Sequence, residues 1–252
     1  MVANLALSMS VTAKAPVALR NGPRDRTIAE HREAARPLVY GRPTDGGPLL
    51  DPIARRSRVL VVRRGPQLAP GAWQELLSVV PAAERSRIEQ RHRWEDRQDS
   101  AIGWQLLQGL AGTSGLRRGH NDRPECDPPL DVSLSHSGGW IAVAAGERGR
   151  VGIDVETLRD VSPSLARRCL STPELAWLEE DPGLRSLRFL RLWTAKESYL
   201  KATGEGLGLD PRDITLDHSS DEPRMTGTAQ HWRFTTSAPA ADVCLTVCEE
   251  RG

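Results

Sequence analysis

Residues 192–207 read LWTAKESYLKATGEGL, and the reading of this stretch decides the fold of the second half of the chain. Leu184, Leu187, Leu190, Trp193 and Leu200 recur at helical spacing, so a single long helix is expected to open at Asp181-Pro182. Gly204 ends it, because glycine accepts the left-handed conformation of a helix C-terminus at no steric cost. Trp193, Glu197 and Lys201 then stand at i, i+4 and i+8, one row up one face. Glu followed by Lys at i+4 is also an ordinary surface pair worth roughly 0.2–0.5 kcal/mol, but a Trp in the same row indicates a face packed against something. Apart from Lys14, Lys196 and Lys201 are the only lysines of a chain that otherwise takes its positive charge from arginine. A compact ammonium on a flexible stem is a point charge suited to a phosphate oxygen.

Upstream of this helix lies GIDVE, residues 152–156. On a strand, residues i and i+2 share a face, so Asp154 and Glu156 project together while Ile153 and Val155 face the core. Two carboxylates this close repel unless a cation or proton separates them, and hard oxygen ligands favour Mg2+. Taken alone, an acidic D-x-E face is as readily a solvated one. Further upstream, SLSHS (133–137) puts Ser133, Ser135 and Ser137 on one strand face and His136 on the other. Ser-His adjacency is no sign of a hydrolase, since no G-x-S-x-G elbow, P-loop or G-x-G-x-x-G occurs.

The rest of the pattern gives a strand at 58–63, helices at 73–80, 82–94 and 95–112, and a loop at 120–129. Strands DVSLSHS (131–137), WIAVAAG (140–146) and RVGIDVE (150–156) follow, separated by glycine-bearing turns. Ser162-Pro163 suits a helix start, and Ser171-x-x-Glu174 reads as a capping box. DITLD (213–217), HWRFTT (231–236) and VCLTVC (243–248) close the chain as strands. The order strand, helices, strands appears twice, which predicts an α/β (α+β) fold of two similar halves, 58–148 and 149–252. Residues 1–57, rich in Arg, Pro, Gly and Asp, read as a loosely ordered extension with one short helix at 27–36.

At 252 residues the chain has length for one large domain or two small ones. Lys+Arg 34 against Asp+Glu 33 leaves a net charge of +1, which argues against a nucleic-acid coat and requires any basic site to be local. Cys126, Cys169, Cys244 and Cys248 form no CxxC pair and read as small buried thiols, with Cys244 and Cys248 on one strand face. With no export signal and no apolar run near the roughly 20 residues of a spanning helix, a cytoplasmic protein without membrane partners is expected.

Taken together, the motifs resemble those of the Sfp-type 4′-phosphopantetheinyl transferases, which carry S-x-S-H-[ST], G-[IV]-D-[IV]-E, F-[ST]-x-x-E and W-x-x-K-E-[SA]-x-x-K. Here they read SLSHS (133–137), GIDVE (152–156), LSTPE (170–174) and WTAKESYLK (193–201), in the same order. The likeness covers roughly residues 58–249 and leaves the first 57 unexplained. It implies a monomeric pseudo-dimer with coenzyme A between the halves. The phosphopantetheine arm would pass to a serine of an acyl or peptidyl carrier protein, releasing 3′,5′-ADP, in the service of secondary metabolism. By the same match, Asp154, Glu156 and Glu197 would hold Mg2+, and Lys196 and Lys201 would neutralise the pyrophosphate. Ser135 and His136 would reach the 3′-phosphate, with Arg123 beside the adenosine and Arg85 as a further contact. Glu197 is the first candidate for the base, directly, through a bound water or with Lys201.

The chain departs from the family at Asp99, where the third helix usually carries an arginine for the coenzyme A phosphates; Arg93 or Arg97 is the expected substitute. Two other readings stay open: a non-catalytic coenzyme A or carrier-binding module of the same fold, and another metal-assisted phosphoryl-transfer enzyme or nuclease.

Overall fold

The computed structural model describes residues 57–112, 115–127, 130–147, 149–218, 222–226 and 231–251. The expected N-terminal extension, its short helix and Lys14 lie outside the described residues. The chain opens with β1 (Ser57–Arg63), then α1 (Pro70–Val79), α2 (Ala82–Glu89) and α3 (Trp94–Ala111). A two-residue pair, β2 (Arg117–Arg118) and β3 (Pro124–Glu125), precedes β4 (Asp131–Ser137), β5 (Trp140–Gly146) and β6 (Val151–Thr157). Helices α4 (Pro163–Cys169), α5 (Thr172–Glu179) and α6 (Arg185–Thr203) follow. A second small pair, β7 (Leu216–Asp217) and β8 (Arg224–Met225), leads into β9 (Trp232–Ser237) and β10 (Val243–Glu250).

Two antiparallel three-stranded sheets form, ordered β1-β5-β4 and β6-β10-β9. In each, alternate side chains serve different cores. Ile141, Val143 and Ala145 of β5 face Ile102, Leu107 and the rest of α3, whereas Trp140, Ala142 and Ala144 face the second sheet. Likewise Cys244 and Cys248 of β10 face Leu190, Leu200 and the rest of α6, while Val243, Leu245 and Val247 meet β5 and β1. The expected small buried thiols on one strand face are found there. The layers therefore run α3, first sheet, second sheet, α6. Strand β5 is buried along its whole length, which explains why WIAVAAG alternates so little.

Gly152 sets the distance between β6 and α6. A Cβ at that position would overlap the carbonyl oxygen of Ser198 and stand 2.6 Å from the backbone nitrogen of Ala202. The backbones of strand and helix meet there with no side chain between them.

Three expected boundaries moved. The helix at 82–94 stops at Glu89, where the charged run Gln90–Arg93 offers no apolar side chain to hold it on the core, and a new helix begins at Trp94. The long helix starts at Arg185 rather than Asp181, since the Asp181 carboxylate accepts the Gly183 N–H (2.9 Å) in a turn. Of DITLD only Leu216–Asp217 is strand, because Pro211–Asp213 forms a short helical turn. No helix among the described residues is long and apolar enough to cross a membrane.

Candidate active site at the seam between the sheets

Strands β4 and β6 lie side by side at the junction of the two sheets, yet no strand ladder joins them. The seam is closed by the odd-numbered side chains of β4. The Asp131 carboxylate accepts the Val151 N–H (2.7 Å), and the Ser133 hydroxyl accepts the Ile153 N–H (3.1 Å). Ser135 donates to Oδ1 of Asp154 (2.7 Å), and Ser137 donates to Oε2 of Glu156 (2.6 Å). The edge of β6 that faces the first sheet thus finds side chains where a neighbouring strand would have offered carbonyls and amides.

Helix α6 brings the cation. From its last turn the Lys201 ammonium donates to Asp154 Oδ1 (2.6 Å) and to the Ser135 hydroxyl (2.9 Å). Burial alone would lower the pKa of this lysine, but Asp154, Glu197 and Glu156 hold it above the ordinary value, so it stays charged. One turn earlier, Glu197 faces the same group and makes no hydrogen bond among the described residues. Burial first, then the charges of Asp154 and Glu156, push its carboxyl up to about 7 against the pull of Lys201. Glu156 is raised as well, chiefly by burial and by Asp154. Trp193 completes the row by stacking on Phe189 (centroids 6.1 Å apart) in the core below, which accounts for its place on the helix face.

Three carboxylates share this corner with one ammonium. Oδ2 of Asp154 is buried and has no hydrogen-bond partner. An unpartnered anionic oxygen in a site poor in water is the position a hard cation satisfies, so Asp154, Glu156 and Glu197 suit Mg2+ by donor type. Among the described residues, no group of three or more His, Cys, Asp or Glu side chains stands ready to hold a metal ion.

Lys196 corrects an expectation. It does not reach the seam: it is fully buried on the opposite side of α6, where its three protons go to Glu174 Oε2 (2.5 Å), Cys169 O (3.1 Å) and Pro211 O (2.9 Å). Glu174, also fully buried, accepts in addition the Ser171 N–H of the expected capping box (2.8 Å) and the Leu216 N–H (3.2 Å). The lysine ties α4, α5 and α6 to the chain beyond and is closed to a phosphate.

Arg85 is corrected in the same way. Its guanidinium donates to Val80 O (2.8 Å) and Ser78 O (2.7 Å), capping the end of α1. Arg123 donates to Asp131 (2.5 Å) and to Val151 O (3.0 Å), so it crosses the seam and binds the two sheets together.

Ser135 and His136 point to opposite faces of β4, as their adjacency requires. Ser135 belongs to the acidic corner, and His136 turns to α3, with Nε2 3.3 Å from the Ser100 hydroxyl. Burial, with the charges of Arg91, Lys201 and Arg64, lowers its pKa to about 3, so the ring is neutral. Arg91 has its own pKa lowered by burial and makes no side-chain hydrogen bond or ion pair among the described residues. Arg64 stacks on Trp94 (5.0 Å) and pairs with Asp99 (2.7 Å). Arg97 and Arg93, expected to replace a missing arginine at position 99, bond locally to Arg91 O and to Glu95. Arg64 and Arg91 act on His136 beside Lys201, and sequence reasoning missed both. Only the fold brings the end of β1 and the turn after α2 to one imidazole.

A family model described as the 4′-phosphopantetheinyl transferase superfamily matches residues 150–248, from β6 through α6 to β10. The 4′-phosphopantetheinyl transferase pptA of Paxillus involutus is 33% identical over 196 residues, covering 64% of this chain and 74% of that protein. The 4′-phosphopantetheinyl transferase HetI of Nostoc sp. is 37% identical over 183 residues, covering 66% and 76%. The solved holo-[acyl-carrier-protein] synthase of Thermotoga maritima aligns with 27% identity and a TM-score of 0.34 over 40% of this chain and 64% of its own. The two curated alignments are too long to fit within the second sheet and its helices, and so take in the β4 side of the seam as well as the β6 side; the chain belongs to the 4′-phosphopantetheinyl transferase superfamily.

Proposed function

We propose that this chain is a Mg2+-dependent transferase that moves the 4′-phosphopantetheine arm of coenzyme A to a serine hydroxyl of an acyl or peptidyl carrier protein. A new bond forms between the serine oxygen and the phosphorus next to the pantetheine. The bond from that phosphorus to the bridging oxygen breaks, and 3′,5′-ADP leaves with the electron pair. The serine proton goes to a base on the enzyme. Charge gathers on the departing phosphate oxygens, so catalysis rests on positioning and charge neutralisation.

What carries this reading is the convergence of Lys201, Asp154 and Glu197 on one corner of the seam. Lys201 supplies a point charge for the pyrophosphate. Glu197 is raised to about 7 in the metal-free site, and since a bound Mg2+ would lower that value, it takes the serine proton through a bound water or together with Lys201. Asp154 and Glu156, with Glu197, would hold Mg2+, which would draw charge from the phosphate oxygens. On the α3 side, Arg91 and the neutral His136, with Arg64 held by Asp99, are donors suited to a further phosphate of coenzyme A. We read the chain as a monomer, since both strands of the seam come from one polypeptide.

Incubation with coenzyme A, Mg2+ and an apo carrier protein should add one phosphopantetheine to the carrier by intact mass spectrometry, and a chelator should abolish the gain. No gain with several apo carriers, while coenzyme A still binds, would favour a binding module instead.

A further inference from the structure

The Ser137 rung differs from its neighbours on β4. Asp131 and Ser133 satisfy backbone amides of β6, and Ser135 is shared between Asp154 and Lys201. Ser137 donates to one atom only, Oε2 of Glu156. Glu156 needs such a hold. It lies on the same strand face as Asp154 and is repelled by it, its side chain is long, and β6 ends one residue later at Thr157. Left free, it would relieve the repulsion by swinging outward. Among the described residues, its other oxygen has an ion pair only with the half-exposed Arg159, at 3.7 Å, which is too long to fix an orientation.

The turn beyond Ser137 supports the same end of β6. Gly138 has φ 58°, and a Cβ there would collide with the Thr157 side chain, so the turn closes directly over the strand terminus. Hydroxyl and glycine together clasp Glu156 and Thr157 from the first sheet.

We propose that Ser137 is a positioning residue for the transfer: it fixes Glu156 so that both β6 carboxylates face the seam and present one charge pattern to a divalent ion. This rests on the Mg2+-dependent transferase reading. Partners that orient a ligating carboxylate typically change metal affinity by about 10- to 100-fold when removed.

The test uses the full chain and Mn2+ alone, titrated by electron paramagnetic resonance, beside carrier-loading kinetics. Ser137→Ala should weaken Mn2+ binding by about tenfold or more and lower kcat, with the KM for coenzyme A unchanged. Ser137→Thr, which keeps the hydroxyl on a strand residue, should restore both. In the double variant Ser137→Ala/Glu156→Gln, the loss should not exceed that of Glu156→Gln alone, since the serine acts through the glutamate. Wild-type Mn2+ affinity in Ser137→Ala, failure of threonine to rescue, or additive losses in the double variant would each overturn the proposal. A wild-type chain that loads no carrier, yet whose Mn2+ affinity responds to Ser137→Ala, would sink the transferase reading and leave the positioning role standing.

Discussion

At the scale of single residues, the two lysines of one helix have opposite fates. Lys196 and Lys201 are equally conspicuous in the sequence, but five positions along a helix turn a side chain to another face. Lys201 meets the acidic seam, whereas Lys196 is enclosed with Glu174 among backbone carbonyls. Removing one partner of such a buried pair leaves the other charge stranded, at a cost of about 3–5 kcal/mol. Lys196→Ala should therefore lower the midpoint of thermal unfolding sharply, while coenzyme A affinity measured on the folded fraction by calorimetry stays near wild type. Glu197 makes the complementary case. As the base it must be ionised; in the metal-free site its carboxyl is raised to about 7, and Mg2+ held against it would pull that value down, so kcat should fall with falling pH on a single ionisation lying below 7. Glu197→Gln should lose most of the turnover at every pH while coenzyme A still binds. The likeness to the family's motifs made the Asp154, Glu156, Glu197 and Lys201 group legible in advance. It did not reveal the fate of Lys196, whose acceptors at Cys169, Glu174 and Pro211 are distributed over three segments that only the fold brings together.

At the scale of elements, strand and helix assignments followed from periodicity wherever an apolar face repeats, as in α3, α6 and β4. They failed by a few residues where a local polar contact decides the end, as at Asp181, where an accepted N–H makes a turn before the helix can start. The close approach of β6 to α6 could not be read in advance, because a glycine in a strand does not announce what lies over it. Gly152→Ala should be among the most damaging conservative changes in the chain. Backbone atoms on both sides leave nothing flexible to yield, so the loss should lie at or beyond the upper end of the roughly 1–3 kcal/mol typical of overpacked cores. The same displacement would draw Lys201 away from Asp154. Chemical denaturation and carrier-loading assays should thus fail together in this variant, unlike in Glu197→Gln, where only loading fails.

At the scale of the whole molecule, two sheets share an apolar core built from Val59, Val61, Trp140 and Ala142 on one side and Val151, Ile153, Val155 and Leu245 on the other. Neither half buries this surface alone. A fragment comprising residues 149–252 should lack a cooperative unfolding transition as a monomer and should self-associate on size-exclusion chromatography, because it exposes both that face and the uncovered edge of β6. A cooperative monomeric fragment would mean that the halves are independent domains. The twofold order of strands and helices was visible in the sequence as a topological pattern. The means of joining the halves was not, since hydroxyls bonding across a seam look in sequence like any polar strand face. That manner of joining has an evolutionary corollary. A backbone ladder shifts as a unit, so one altered register moves every contact along it. A row of hydroxyls and carboxylates is instead a set of separate genetic choices. Selection can retune the grip on one acidic group, or on one end of the substrate, by changing a single codon in β4 while the rest of the junction keeps its alignment.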